Sequence, residues 1–497
     1  MSVHTKGYLI DSRSSVKGEL VEINGLVYSC TLNQTELDAN KNKFYIMQLI
    51  KNSSTYTLFS VWGRIGNDGQ TSQKNFSSES EGANAFKKQF SAKTGNTWGI
   101  DKFVKKEGKY FMSDVSYEDE LKEAKIDDIK IKVPDSVLPE RTQKLISMLT
   151  DVNMMQNSLI SLDIDVKKLP LGKIKQSQLK LAEEILDKIQ PIITELKTKI
   201  NNTDLLNSLT KLSNEYYTYV PKNVGYKRLP VIDTDELVHK YKDTLEELKN
   251  IAVTVKLQEG VKADENPIDK IYEGINTVIT PLEKTSNQWK ILSDYISTTH
   301  GETHQIKLEI IDIFKIEQNG RKEMFDKVSS KIDNHTMLFH GSATSNLISI
   351  LTHNFYLDPA AVNSNIVISG YMFSKGIYMA SNSTKSAYYC RMESTNNIGT
   401  LIMCEAALGT PYQQINANYS ITKDSLAKIN CHSTWGVGQY QPSKEVLMDG
   451  IKVPMGPLKK KNPKNTLYYN EHIVYDVNQV LIRYLIVVKN VGGISNY

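Results

Sequence analysis

The period of the apolar residues changes twice along this chain, and that alone requires more than one kind of domain. From about Leu26 to Val61 the segments "GLVYSCTL", "KFYIMQLI" and "TYTLFSVW" alternate or run apolar and are rich in β-branched and aromatic residues, which predicts strands. "GRIGNDG" follows, with Asn67-Asp68-Gly69 supplying residues tolerant of positive φ, so a hairpin turn is expected there. "EGANAFKKQFSAKTGN" predicts one helix closed by Gly95. From about Ser136 the period becomes helical. Ala182, Ile185, Ile189, Ile192, Leu196 and Ile200 recur at three- and four-residue steps, as do Leu237, Tyr241, Leu245, Leu248 and Ala252. Asp233, with Glu236 three residues on, predicts a capping-box start for the second of these helices. "VKADENP" breaks the bundle, and beyond about Ile306 short strands are expected again, ending in "HIVYDVNQVLIRYLIVVK".

At 497 residues the chain exceeds a single core and implies roughly two to four domains. The expected organisation is multidomain α+β: an arm over 1–22, a β-rich domain over 23–112, a charged linker over 113–135, an all-α bundle over 136–258 and a mixed α+β domain over 265–497. No apolar leader and no run of about 18 apolar residues occurs, so neither secretion nor a membrane partner is expected. The four cysteines, Cys30, Cys390, Cys404 and Cys431, include no C-x2-C pair, which excludes a zinc ribbon and fits a reducing compartment. A net charge of +4 is mild, so nucleic-acid contact needs a local patch.

Several motifs carry chemistry only weakly. The glycines of "WGRIGNDG" lack G-x-G-x-x-G spacing and suit a hairpin better than a phosphate loop. His300 and His304 stand four apart, but the glutamate of H-E-x-x-H and a third ligand are missing, so no metal is expected. His340, in "LFHGS", precedes Ser342 without a G-x-S-x-G elbow, which argues against a serine hydrolase. Alone, that histidine reads equally as a hydrogen-bonded rim residue. "SGYMFSKGIYMASNSTKSAYYC" gathers tyrosines, glycines and serines able to hold a flat ring and its amide, or simply a tyrosine-rich core strand. In "TLYYNEHIVYD", Glu471 stands at the threshold of a β-branched strand.

Taken jointly and in order, "LFHGS", "GYMFSKGIYMASNSTKSAYYC" and "LYYNEHIVYDVNQVLIRYL" resemble the three NAD-site blocks of the poly(ADP-ribose) polymerases, a family of the diphtheria-toxin-like transferase type. "KLPLGKI" (168–174) and "NEYYTYVPKNVG" (214–225) are similar to that family's helical regulatory domain, and "FSVWGRIGNDGQ" with "FKKQFSAKTGNTWG" to its Trp-Gly-Arg (WGR) domain. The resemblance implies a catalytic set of His340, Tyr378 and Glu471. NAD would be consumed as substrate and contacted by His340, Gly341, Ser342, Tyr371, Tyr378, Ser386 and Tyr389, with Met372 and Lys385 on the acceptor side and no metal. In this scheme His340 donates to an adenosine-side ribose hydroxyl. The Gly341 main chain and Ser386 hold the nicotinamide carboxamide, Tyr378 and Tyr389 sandwich the ring, and Glu471 binds the 2′-hydroxyl of the nicotinamide ribose.

The same resemblance implies DNA strand breaks, either 5′-phosphorylated ends or nicks, as partners read by Trp62 and Arg64. It also implies protein acceptors (the chain itself and histones), a nuclear location and an inhibitory role for the helical bundle. A mono-ADP-ribosyltransferase and an inactive break-binding scaffold are the competing readings. The chain departs from the family pattern at Tyr356, where an arginine is usual near the NAD phosphates, and at His472, where a tyrosine is usual. It also lacks the Leu-Trp ending that some members use to recruit an accessory factor for serine modification.

Overall fold

The computed structural model describes residues 10–100, 102–113, 134–164, 176–199, 202–259, 261, 265–357 and 372–492. Residues 114–133 of the charged linker, "KLPLGKI", residues 262–264 of "VKADENP", Tyr371, the first nine residues of the arm and the end of the C-terminal tail lie outside them. The chain divides into two compact units, one of residues 1–132 with 159–259, the other of residues 133–158 with 260–497.

In the first unit an antiparallel sheet runs in the order Gln70–Phe76, Thr55–Arg64, Lys41–Asn52, Ser29–Glu36, Phe111–Ser113. Glu19–Leu20 adds to the far end of the 41–52 strand. The expected hairpin joins the second and first of these strands, and Gly66 and Gly69 take positive φ within it. The helix Glu79–Thr94 is capped by the Ser78 side chain and ended by Gly95 at φ 70°. Its buried Ala83, Phe86 and Phe90 face the sheet, and Trp98 closes edge-on against both phenylalanines. Three long helices follow: Gln176–Leu196, Thr203–Tyr219 and Asp235–Glu259.

The stripes on these helices differ in detail from the expectation. On the first, the buried residues are Leu179, Ala182, Ile185, Leu186, Ile189 and Ile193, while Ile192 and Leu196 are only half-buried. The core needs a wide face rather than a single 3-4 file. On the third, Val238 is buried in place of Leu237, and the helix is capped by the Thr234 hydroxyl accepting from the Leu237 amide. The Asp233–Glu236 box therefore does not form, because the chain enters the helix one residue later.

The second unit is built on a seven-stranded sheet in the order Tyr440–Met448, Ile451–Lys460, His335–Gly341, Ile398–Ala407, Val480–Asn490, Leu308–Gln318, Thr277–Pro281. Strands thus return at Thr277, earlier than expected, and several are ten or eleven residues long rather than short. A four-stranded sheet orders Ile377–Met379, Glu471–Val474, Ser433–Gly436 and Pro411–Gln414. The two sheets are stitched where Phe339 and Ala380 exchange both main-chain hydrogen bonds, at 2.9 and 2.8 Å. Around that stitch the core includes Leu292, Tyr295, Ile313, Met337, Phe339, Leu401, Tyr484 and Ile486. The helix Glu140–Leu149 belongs to this unit: Arg141 binds the Asp312 carboxylate and donates to the Leu282 carbonyl at 2.9 Å, and Asp269 accepts from Ser136 and from the Val137 amide.

Candidate active site

The stitch between the sheets brings the histidine and tyrosine together. His340 is the penultimate residue of its strand, and the imidazole Nδ1 lies 2.8 Å from the Tyr378 carbonyl. A carbonyl only accepts, so Nδ1 carries the hydrogen. Burial pushes the ring's pKa below the ordinary histidine value, and the carbonyl contact only partly opposes this. The ring is therefore neutral near pH 7, and its Nε2 presents a lone pair. In this tautomer Nε2 is available as an acceptor, whereas the resemblance implied a donor. Phe355 stands edge-on to the ring with centroids 4.7 Å apart and fixes its plane.

Gly341 answers to a steric demand. A Cβ there would lie 1.7 Å from the Ser386 carbonyl oxygen and 3.2 Å from the Cβ of Tyr389, so only glycine admits this close approach. The Ser386 hydroxyl, buried, donates to the Phe339 carbonyl at 3.0 Å, which leaves its lone pairs as acceptors. Tyr389, whose Cβ borders Gly341, is 61% exposed. Tyr378 is held by its phenol, which donates to the Ser374 carbonyl at 2.7 Å and accepts from the Phe373 amide at 2.9 Å, so its ring plane is set. Ser342 accepts from the Asn346 side chain at 3.1 Å. Met372 packs half-buried beside Phe373 and Tyr378.

Glu471 enters from the second sheet. Its strand pairs with the Tyr378 strand, in register Tyr378 to Ile473 and Met379 to His472, which brings the glutamate alongside the tyrosine's strand. Lys385 reaches it: Nζ lies 2.6 Å from a Glu471 carboxylate oxygen and 3.3 Å from the Tyr469 carbonyl. Both side chains are largely shielded, at 16 and 13% exposure. Asn382 caps the short helix Ser383–Ala387 by accepting from the Lys385 amide, which aims the lysine. The ion pair to a residue 86 positions away carries no local signal in the sequence. His472 lies nearly parallel to Trp435 with centroids 5.9 Å apart, and burial lowers its pKa to about 4.

The two spaced histidines are engaged in separate hydrogen bonds. His304 Nδ1 bonds the Thr384 hydroxyl at 2.7 Å, His300 Nε2 bonds the Ile306 carbonyl at 2.7 Å, and no cluster of three potential ligands occurs among the described residues. Tyr356, at the usual arginine position, is 77% exposed.

In the first unit Trp62 stacks on Tyr45 (5.7 Å, 15°) and remains half-exposed. Lys93 sits 4.4 Å above the Tyr45 ring, and Lys43 lies 5.2 Å from the Tyr110 ring, so cations and aromatic faces alternate there. Lys87 and Lys88 are exposed on the neighbouring helix. Arg64 has a different role: its guanidinium donates to the carbonyls of Gly225 and Lys227 and to the main chain and side chain of Asn40. Four of its five N–H donors are thus engaged by the 225–227 loop and Asn40.

Three family models match the chain: the poly(ADP-ribose) polymerase catalytic domain over 286–490, the poly(ADP-ribose) polymerase regulatory domain over 136–272 and the WGR domain over 28–104. The regulatory match runs across both compact units. Poly [ADP-ribose] polymerase 2 of Homo sapiens is 34% identical over 480 residues, 93% of this chain and 79% of that protein. Poly [ADP-ribose] polymerase 2 of Zea mays is 30% identical over 96% of this chain and 72% of its own length. The chain covers only 45% of the poly [ADP-ribose] polymerase of Sarcophaga peregrina, to which it is 35% identical. With its domains mixed α and β and all three models in family order, the chain belongs to the poly(ADP-ribose) polymerase family.

Proposed function

We propose that this protein transfers ADP-ribose from NAD to protein side chains and then to the growing polymer, releasing nicotinamide, and that DNA strand breaks stimulate it in the nucleus. The observation that carries the reading is the convergence of His340, Tyr378 and Glu471 on adjoining strands, with Lys385 on the glutamate. NAD is the substrate. The Gly341 main chain and the Ser386 lone pairs take the nicotinamide carboxamide, and Tyr378 and Tyr389 stack on the ring. His340 Nε2 accepts from an adenosine-side ribose hydroxyl. Glu471 accepts from the 2′-hydroxyl of the nicotinamide ribose.

The bond between the ribose C1′ and the nicotinamide nitrogen breaks, and its electron pair leaves with the ring as neutral nicotinamide. Positive charge builds on the ribose, and the Glu471 carboxylate stabilises it. An acceptor hydroxyl then attacks C1′ and gives up its proton, a step the same carboxylate assists as base. Lys385 orients that carboxylate, and Met372 lies on the acceptor side. In the WGR domain, Trp62 with Tyr45 offers a stacking face and Lys43, Lys87, Lys88 and Lys93 offer phosphate neutralisation for a DNA end.

Incubation with labelled NAD, with and without nicked 5′-phosphorylated oligonucleotide, tests the reading on one gel. A ladder that strengthens with DNA supports it. A single shifted band means mono-ADP-ribosylation, and no label means a binding scaffold.

A further inference from the structure

The reaction as described leaves one strongly charged surface unused. Lys459, Lys460, Lys461 and Lys464, at and just beyond the end of the strand Ile451–Lys460, are all exposed. Between Ile451 and Asn470 the sequence contains no aspartate or glutamate, and none of the four lysines has an ion-pair partner among the described residues. Four like charges in six residues repel one another and raise the energy of the bare protein, so an anion laid across them gains that energy back.

The patch is joined to the catalytic glutamate by direct contacts. Lys460 pairs in register with Tyr440, and its Nζ lies 5.5 Å from that tyrosine's ring. Tyr440 bridges in parallel to Tyr469, with ring centroids 5.8 Å apart, and accepts no gap: its amide bonds the Tyr468 carbonyl at 2.8 Å. The Tyr469 carbonyl receives Lys385, whose Nζ holds Glu471. Two strand spacings, about 10 Å, therefore separate the Lys460 main chain from that of Tyr469. Tyr468 next to it is 55% exposed and offers a further ring.

We propose that Lys459, Lys460, Lys461 and Lys464, with Tyr440 and Tyr468, form a site that grips the ADP-ribose polymer some distance behind its reacting end and so favours elongation over new initiation. This rests on the polymerase reading above. Each added unit brings a pyrophosphate and an adenine, and the patch offers cations for the one and aromatic faces for the other. An acidic peptide would satisfy the lysines and leave the tyrosines unused, which is why the polymer is the better occupant.

The test compares the full chain with a quadruple variant, Lys459→Gln, Lys460→Gln, Lys461→Gln and Lys464→Gln, and with the matching quadruple Arg variant. Under DNA stimulation, at equal NAD consumed, the median chain length should fall at least threefold in the Gln variant and recover in the Arg variant. Independently of turnover, purified labelled polymer should bind the full chain at least tenfold more weakly after the Gln change, with the salt dependence reduced by up to ~3 in logarithmic slope at ~0.7 per phosphate contact. Equal binding of preformed polymer overturns the proposal, whether or not the enzyme turns over. So does an unchanged length distribution, and so does loss of a polyglutamate acceptor or of oligonucleotide affinity with polymer binding intact. Absence of any labelled product from the parent would instead count against the polymerase reading, since the binding arm stands apart from it.

Discussion

His340 gives its Nδ1 hydrogen to the Tyr378 carbonyl at 2.8 Å, so the strand that supplies Tyr378 also sets the tautomer of the histidine. The consequence is a pH dependence with a definite sign. Neutral His340 accepts at Nε2; protonated, it cannot. Its pKa lies below the ordinary 6.5, so KM for NAD should be flat above that pH and rise as the pH falls through the lowered value. His340→Ala should raise KM by roughly 2- to 13-fold, the worth of one hydrogen bond of about 0.5–1.5 kcal/mol, and change kcat less. Initial rates across pH for both proteins check this; an acid-dependent KM that persists in the alanine variant would assign the titration elsewhere.

Glu471 and Lys385 act as a unit. On the proposed mechanism, Glu471→Gln removes a charged hydrogen bond to the ribose hydroxyl and the stabilisation of developing positive charge, a loss of roughly 1.5–3 kcal/mol, or about 10- to 150-fold in rate. Long polymer should disappear while NAD still binds, as read by quenching of tyrosine and tryptophan fluorescence. Lys385→Met should retain the carboxylate yet lose its orientation, and so reduce elongation with a smaller effect than the glutamine change. If Glu471→Gln elongates at the parental rate, the assigned role is wrong.

Burial of neutral histidines makes the catalytic unit sensitive to acid. His304 and His472 both have pKa values lowered to about 4 by burial. A depressed histidine pKa means the unfolded chain binds more protons, so stability is complete above about pH 6.5 and falls as the pH drops toward 4. Between pH 6.5 and 5.5 each such group costs up to ~1.4 kcal/mol. His472→Phe, which keeps a flat ring on Trp435, should flatten part of the decline in Tm measured over that interval. An unaltered slope would mean that His472 does not titrate with folding.

What could be read from the sequence follows a physical line. His340, Tyr378 and Glu471 lie inside β-branched or aromatic runs where period-2 patterning and family blocks coincide, and the 79–94 helix is marked locally by Ser78 and Gly95. The features that escaped are those whose partner is distant. Lys385 finds Glu471 because the strand before its helix, Ile377–Met379, pairs with the strand that begins at Glu471. The helix Glu140–Leu149 has the same period as its successors, and distant contacts, Arg141 to Asp312 and Leu282 and Ser136 with Val137 to Asp269, assign it to the catalytic unit. The Asp233 capping box was misplaced by one residue because Asp233 and Thr234 are both good caps and the chain's entry angle chose between them.

Trp62 and Arg64, two residues apart on one strand, should separate under mutation. Trp62 is half-exposed beside cations, while the donors of Arg64 are taken by Asn40, Gly225 and Lys227. Trp62→Ala should weaken binding of nicked oligonucleotide by roughly 1–3 kcal/mol, about 5- to 150-fold, and lose stimulation with it. Arg64→Ala should leave DNA affinity nearly intact and still lose stimulation, because it severs the sheet from the 225–227 loop. Equal affinity losses in both variants would make Arg64 a DNA contact after all.

The last prediction concerns the helix Glu140–Leu149. Arg141 and Asp312 are part-shielded at 33 and 17% exposure, and the pair also satisfies the Leu282 carbonyl, so it is worth more than an open surface bridge. Removing it with Arg141→Ala leaves the Asp312 carboxylate and that carbonyl short of partners and should cost about 1–3 kcal/mol. For a unit of this size that lowers Tm by roughly 2–12 °C. A fragment beginning at Glu265 loses the whole helix and should melt lower still. If the 136–258 region restrains catalysis, the same fragment should nonetheless turn over NAD without DNA, since a restraint acts on the population of competent enzyme and not on its chemistry. Calorimetry and DNA-free turnover on the two proteins separate these effects. A full-length enzyme that, without DNA, is no slower than the fragment would remove the restraint, and an Arg141→Ala protein with unchanged Tm would remove the helix from the catalytic unit's stability.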